Sequence, residues 1–417
     1  MMRAGANWQA AIVVSAASLL LVCLPAAALP PAVDAAAAVL MDSDTGTVLY
    51  GRRMHERRPV ASTTKVMTAL LALESCSLDE SVVISERAAA AAGSSLYLDA
   101  GDSVRLDDLL TALLLKSAND AANAIAEHVS GTVESFAQRM NERARELGAS
   151  DTHFVNPHGL HDVQHYSSAY DLALITREAM KHERFRELIA TKAAEISLSE
   201  SPNGTRRLVN HNKLLRRADF VDGVKTGYVR QSGHCLIASG TQDGWQLIAV
   251  VLDSDDMYDG GLGLLEYGFA EYRPTVYAEA GDAVGQARVR GGAMKSVTAV
   301  CRERLSAVVG PRVNEDAHLE VELAELSAPV AKGAPAGTAR LVSGGRVIRE
   351  SPLAAGESAS RSALITFGLW AMRVVVLVSI GALLVRTYGK ALKSHRSGRG
   401  GGAEEGGGPG PGRPSAR

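Results

Sequence analysis

The sequence predicts an α/β fold in which an antiparallel sheet is flanked by helices and interrupted by a helical block, followed by a small C-terminal β-domain and a membrane helix. Three observations predict it: short apolar runs at residues 35–41 and 47–50 with strand signals at 223–225, 235–239 and 246–252; helical periodicity confined to the stretch between them; and short, glycine-punctuated runs after Pro274. At 417 residues the chain can hold two or three domains, each burying its own core. Its 44 basic and 46 acidic side chains leave a net charge of -2, which excludes a strongly basic nucleic-acid binder and an acidic disordered chain. No nucleic-acid partner is expected. Cys23 falls in an N-terminal apolar run, and Cys76, Cys235 and Cys301 are scattered, with neither a disulfide framework nor zinc-ligand spacing.

In chain order, residues 1–28 join a basic start at Arg3 to an apolar run and the string Ala26-Ala27-Ala28, the layout of a signal peptide cleaved after Ala28. The run is short for a membrane span, and Val22 precedes Cys23 where a lipoprotein carries a small residue, so an uncleaved anchor and a lipid-modified cysteine are the weaker readings. Two apolar runs separated by the Asp/Gly-containing residues 42–46 read as a β-hairpin. Helical patterns follow at 63–74, 106–115, 120–130, 133–147 and 169–182 before strand signals return. Residues 35–272 are therefore expected to form one domain, a sheet whose first two strands come from the N-terminus and whose others follow a helical insertion. Residues 274–353 read as the small β-domain, with no clustered nucleophile or acid–base set, and 354–362 as a linker.

Residues 363–385 are apolar apart from Arg373 and small polar side chains, and match a bilayer crossing in length. Arg386, Lys390, Lys393, Arg396 and Arg399 follow, which assigns 386–417 to a cytoplasmic tail, disordered where it is Gly/Pro-rich, and everything upstream of the span to the outside. A charge near mid-span costs about 2.5–3.5 kcal/mol, so a helix lying on the membrane surface is the alternative.

Three short segments carry chemistry. Ser62-Thr63-Thr64-Lys65 opens the first long helix, where positions three apart share a face, so the Lys65 amine can approach the Ser62 hydroxyl. A serine becomes a nucleophile when a base takes its proton, and a lysine serves as that base when burial or a neighbouring cation lowers its pKa. Ser117-Ala118-Asn119 sits where a Leu-rich helix breaks and an Ala-rich one begins, a place from which side chains project into a cleft or cap a helix. Ser201-Pro202-Asn203 has the same form but reads as a turn in a polar loop. Lys225-Thr226-Gly227, at the end of a strand signal, offers a cation, a hydroxyl and a residue without a side chain, which suits binding of a carboxylate and close approach of substrate backbone.

S-x-x-K, S-x-N and K-T-G in this order resemble the motif set of penicillin-binding proteins and class A β-lactamases. The surrounding residues 61–70, 156–160, 165–173 and 222–228 resemble most the low-molecular-mass penicillin-binding proteins, the serine-type D-alanyl-D-alanine carboxypeptidases, and the likeness covers about residues 35–272. The resemblance implies the penicillin-binding/β-lactamase-like transpeptidase fold and hydrolysis of the terminal D-Ala-D-Ala bond of peptidoglycan stem peptides through an acyl-enzyme. It implies Ser62 as nucleophile, Lys65 as base, Ser117 as proton relay to the leaving amine, and Asn119 as the residue that holds Lys65 and the substrate amide. Lys225 and Thr226 would bind the terminal carboxylate at the Gly227 strand edge, and the N–H groups of Ser62 and Tyr228 would form the oxyanion hole. No metal or organic cofactor is implied, and β-lactams would acylate Ser62.

Ala118 stands in place of the aspartate of S-D-N, and no E-x-x-L-N lies between Ser117 and Lys225, so a β-lactamase is disfavoured. A D,D-endopeptidase or transpeptidase would use the same residues, and a catalytically silent penicillin-binding scaffold would rely on the β-domain. His153, His158, His161 and His165 invite a metal reading, but they lie in a turn-forming stretch that reads as structural. Asn210-His211-Asn212 reads as a polar loop, and Cys235 as a small core residue.

Overall fold

The computed structural model describes residues 30–198 and 204–397. The signal peptide at 1–28, Ser201-Pro202-Asn203 and the tail from 398 lie outside the described residues. The chain divides into two units, one built from residues up to Thr275 with Ala307–Glu315, the other from Val276–Ser306 and the residues from Asp316 onward.

The first unit begins with the hairpin β1 (Ala37–Asp42) and β2 (Val48–Arg52). A mostly helical insertion follows: α1 (Lys65–Ser75), β3 (Ser81–Val83), α2 (Glu86–Ala89), β4 (Ser103–Arg105), α3 (Leu106–Thr111), α4 (Asn119–Ser130), α5 (Val133–Glu146), α6 (Ala169–Ala179), α7 (Glu183–Ala190) and the hairpin β5 (Ala193–Ser197) and β6 (Thr205–Val209). The chain then returns to the sheet as β7 (Val221–Val229), β8 (Gly233–Gln242) and β9 (Trp245–Leu252), and closes with α8 (Met257–Glu271). The sheet order is β2-β1-β9-β8-β7, antiparallel throughout, with Ala37 opposite Leu252 and Gly227 opposite Cys235.

Alternation along the strands explains why they read as unbroken apolar runs. Val39, Met41, Cys235, Ile237, Ile248 and Val250 face the helical block, while Ala38, Leu40, Leu236, Ala238, Leu247 and Ala249 belong to a second core with Leu264 and Leu265 of α8. Both faces of the sheet are buried, so no polar phase interrupts the strands. Within the helical block, every residue of α1 from Lys65 to Ala72 is buried, so α1 runs through the middle of that core, between α4 and α6.

Helix α8 was not among the predicted elements, and its four glycines explain why, since each lowers intrinsic helix stability by about 1 kcal/mol. Packing selects them. A Cβ on Gly268 would lie 2.5 Å from Leu247 Cδ1 and 2.8 Å from Leu40 Cδ2, and one on Gly261 would lie 2.7 Å from Leu236 Cδ2. The glycines let the helix axis settle onto the sheet. K-T-G occupies the interior of β7 rather than its end, and the helix predicted over 106–115 is α-helical to Thr111 and π-helical over Ala112–Lys116.

The second unit contains a six-stranded sheet over Ala283–Arg290, Ser296–Cys301, His318–Leu323, Leu326–Ser327, Pro335–Ser343 and Arg346–Ala355. Ala287, Val297, Ala299, Leu305, Ala339 and Leu353 form its core. It ends in the helix Ala363–Ser397, of which Ala363–Lys390 is long and apolar enough to cross a membrane. That helix overruns the predicted span end at 385 by twelve residues, so the first part of the predicted tail is helical. The residues after 385 are mostly good helix formers, and nothing in Arg386-Thr387-Tyr388 stops the turn.

Candidate active site

The S-x-x-K segment is a 3₁₀ turn, Ala61–Thr64, leading directly into α1. Ser62 is half-buried and Lys65 fully buried. Ala61 holds φ at 47°, a left-handed value unfavourable for a residue with a Cβ. The surroundings enforce it. Thr64 Oγ1 donates to the Ala61 carbonyl at 2.8 Å and lies 2.8 Å from His165 Nε2. Because the Val155 N–H donates to His165 Nδ1 at 3.2 Å, Nε2 carries the proton and donates to Thr64. Gly159, at φ 85°, closes the other side: a Cβ there would sit 1.8 Å from the Ala61 carbonyl oxygen.

Lys65 Nζ has three neighbours. It donates to Asn119 Oδ1 at 2.7 Å and to the His158 carbonyl at 2.8 Å, and it lies 3.0 Å from Ser62 Oγ. An uncharged amine has two hydrogens and one lone pair, so two acceptors consume the hydrogens and leave the lone pair facing the serine hydroxyl. The orientation of Asn119 is fixed in turn, because its Nδ2 donates to the Ala92 carbonyl at 2.6 Å and thereby aims Oδ1 at the lysine. Burial holds the Lys65 pKa well below its ordinary value; the Lys225 charge lowers it further, and Asp120 partly opposes both.

Ser117 stands at the end of the π-helical turn with φ 65° and ψ 34°, and the next residues restart the chain as α4. The widened turn redirects the chain before Asn119, a use to which π-turns are commonly put at functional sites. Among the described residues no side-chain capping bond is made at this helix start, and the buried Ser117 Oγ has no hydrogen-bond partner. Asp120, next to Asn119, accepts from Ser95 Oγ at 2.6 Å, the Leu96 N–H at 2.9 Å and the Leu98 N–H at 3.2 Å, tying the 95–98 loop to the start of α4.

β7 lines the opposite wall. A Cβ on Gly227 would lie 2.9 Å from the Ser62 nitrogen, so only glycine lets the strand pass this close to the nucleophile turn. Lys225 is buried, donates to the Thr226 carbonyl at 3.1 Å, and has its pKa lowered to about 7 by desolvation. The Tyr228 ring is exposed and stacks on His234 at a centroid distance of 4.5 Å.

The sequence-predicted residues thus converge: Ser62, Lys65 and Asn119 are hydrogen-bonded, Ser117 is two residues from Asn119, and β7 brings Lys225, Thr226, Gly227 and Tyr228 past Ser62. Sequence reasoning missed the His158 carbonyl, the His165–Thr64 support and Asp120. A backbone acceptor leaves no trace in residue type, whereas an aspartate directly after S-x-N was a visible signal that went unused. In the histidine stretch, His153 Nδ1 lies 2.6 Å from the Gln164 carbonyl and the Leu160 N–H donates to His158 Nδ1 at 3.2 Å. Burial first, with Lys65 second, lowers His158 to about 3, and burial lowers His165 to about 4, so both rings are neutral near pH 7. Cys235 is fully buried, and burial pushes its thiol up to about 11.

A hydroxyl beside a desolvated amine, a buried unpartnered second hydroxyl and a glycine-edged strand carrying a cation define the penicillin-binding class of active-site serine proteins. Residues 25–256 match the family described as D-alanyl-D-alanine carboxypeptidase, and residues 272–361 match the penicillin-binding protein 5 C-terminal domain. D-alanyl-D-alanine carboxypeptidase DacF of Bacillus subtilis is 35% identical over 345 residues, covering 80% of this chain and 88% of the relative. DacA of Escherichia coli is 30% identical over 339 residues, 78% of this chain and 83% of the relative. The crystal structure of penicillin-binding protein 5 from Haemophilus influenzae superposes with a TM-score of 0.67 at 29% identity, covering 80% of this chain and all of that one. A mutant of the Streptomyces K15 DD-transpeptidase gives 0.54 at 33% identity, over 58% of this chain and 99% of its own. The chain belongs to the D-alanyl-D-alanine carboxypeptidase family of serine peptidases, the low-molecular-mass penicillin-binding proteins.

Proposed function

We propose that this enzyme removes the terminal D-alanine from peptidoglycan stem peptides through an acyl-enzyme on Ser62. The observation that carries the proposal is the Lys65 amine, desolvated and with its hydrogens committed to Asn119 and His158, beside the Ser62 hydroxyl. Lys65 takes the hydroxyl proton as Ser62 attacks the carbonyl between the last two residues. Negative charge develops on the carbonyl oxygen, where the N–H groups of Ser62 and Tyr228 stabilise it. Ser117 passes a proton to the departing D-Ala amine, and Asn119 holds Lys65 and the substrate amide. Lys225 and Thr226 bind the terminal carboxylate beside Gly227. Water then hydrolyses the ester, and β-lactams, which mimic the substrate, acylate Ser62 and persist. Apolar helix 363–390 anchors the enzyme in the membrane with the catalytic unit outside, because the basic residues that follow favour the cytoplasmic side.

Mass spectrometry after penicillin treatment tests the nucleophile: the adduct is expected on the peptide carrying Ser62 and absent from Ser62→Ala. An adduct of wild-type yield on that variant would move the nucleophile elsewhere. The likeness to the Streptomyces transpeptidase favours one further reading, transfer of the acyl group to an amine in place of water. Incubation with a pentapeptide plus an amine acceptor, and with a cross-linked dimer, separates hydrolysis, transfer and endopeptidase action by product mass.

A further inference from the structure

A groove of about 410 Å³ opens beside the reaction centre, between the 95–97 loop, the end of the π-helical turn and strand β6. Its walls carry Lys116, Arg206, Arg207 and His211, from three separate segments, with Tyr97 exposed at its rim; among the described residues no carboxylate lines it. Lys116 directly precedes Ser117, and the His211 N–H donates to the Leu115 carbonyl at 3.0 Å, so the groove wall and the Ser117 turn are one structure. His211 also links the groove to the carboxylate-binding strand: desolvation first, then the charges of Lys225 and Lys116, lower its pKa.

Clustering cations without a counter-charge raises the energy of the empty site, and the cluster is stabilised when an anion enters. Arg206 donates one N–H to the Leu96 carbonyl. Glu195 stands opposite Arg207 across the β5–β6 hairpin, yet no ion pair joins them among the described residues. Among the described residues the Arg207 guanidinium has no carboxylate partner, and a guanidinium in a concave site matches the planar, two-oxygen geometry of a carboxylate.

We infer that this groove is a second anion subsite, which takes a carboxylate carried by the peptidoglycan fragment in addition to its C-terminal one. The inference rests on the reading that Ser62 acts on peptides ending in D-Ala-D-Ala. It makes the enzyme selective for acidic over amidated stems, a property the three motifs do not encode.

The test uses four pentapeptides ending in D-Ala-D-Ala, in which the two residues before that dipeptide carry carboxylate or isosteric carboxamide in every combination. With the full-length enzyme, at least one carboxylate is expected to raise kcat/KM about 5–10-fold, mainly through KM. The preference should vanish in Lys116→Gln/Arg207→Gln and be weakened but not lost in Arg207→Lys, which keeps the charge without the planar fork. Four values within twofold in the wild type, or a preference that survives the double substitution, would overturn the subsite. Competition of each peptide with fluorescent penicillin reads binding without turnover. Loss of hydrolysis with the binding order intact would therefore count against the carboxypeptidase reading and in favour of the subsite.

Discussion

Two lysines, both buried, differ in their surroundings, and the tasks proposed for them are opposite. Lys65 loses its solvation and lies near a second cation, both of which favour an uncharged amine against the opposing charge of Asp120, and its two carbonyl acceptors direct its hydrogens away from the Ser62 hydroxyl. Lys225 has a single carbonyl acceptor in the strand and loses its solvation, which lowers its pKa to about 7 and leaves it able to take a proton back when a carboxylate arrives. Burial alone therefore does not make a base. On the roles proposed above, the direction of its acceptors leaves the Lys65 lone pair facing Ser62, whereas Lys225 keeps its amine for a carboxylate.

Exchanging each lysine for arginine breaks the comparison most sharply, because arginine keeps the charge and cannot act as a base near neutral pH. Lys65→Arg is expected to lower the rate of penicillin acylation by about 10²–10⁴-fold, whereas Lys225→Arg keeps carboxylate recognition and loses about tenfold or less. Stopped-flow acylation kinetics measure both, and equal losses would erase the distinction.

A next, smaller effect tests the surroundings rather than the lysines. Gly159→Ala forces a Cβ into the Ala61 carbonyl, and strain of this kind costs about 1–3 kcal/mol, or roughly 5–150-fold if it falls on acylation. The variant should acylate slowly while Lys225-dependent carboxylate binding, read by peptide competition, changes less. Asp120→Ala leaves the donors of Ser95, Leu96 and Leu98 without their acceptor and should lower stability by about 2–4 kcal/mol, seen as a lower denaturation midpoint.

The pH profile sharpens the contrast with the smallest change. The base must be uncharged, so kcat/KM falls as pH drops below the Lys65 pKa; the carboxylate-binding cation must be charged, so the free enzyme loses kcat/KM as pH rises through the Lys225 value of about 7. Lys225→Arg should abolish the alkaline fall and leave the acid limb in place. An alkaline limb that persists in the arginine variant would assign it to another group.

Much of the site was legible because its chemistry resides in side chains of restricted type. A serine and a lysine three residues apart, a second serine near an asparagine, and K-T-G each need particular atoms, and the structure hydrogen-bonds Ser62, Lys65 and Asn119 together while Gly227 of K-T-G passes close to the Ser62 turn. The supporting structure was legible only where it is also periodic. β1, β8 and β9 announced themselves as apolar runs because both sheet faces are buried, while α8 hid behind glycines that serve helix–sheet contact. The π-helical turn before Ser117 and the His158 carbonyl on Lys65 are backbone features, and residue identity does not encode them directly.

The pairing of β1 with β9 joins residues roughly 200 positions apart. A chain threaded through a translocation channel from its N-terminus would release the opening hairpin first and its sheet partner only after the whole helical block. Until then Ala37–Asp42 exposes one unpaired strand edge and two apolar faces with nothing to dock on. On the proposed export route the nascent polypeptide must stay soluble over most of its catalytic unit, and truncation before residue 252 should yield aggregation-prone fragments rather than a smaller working enzyme.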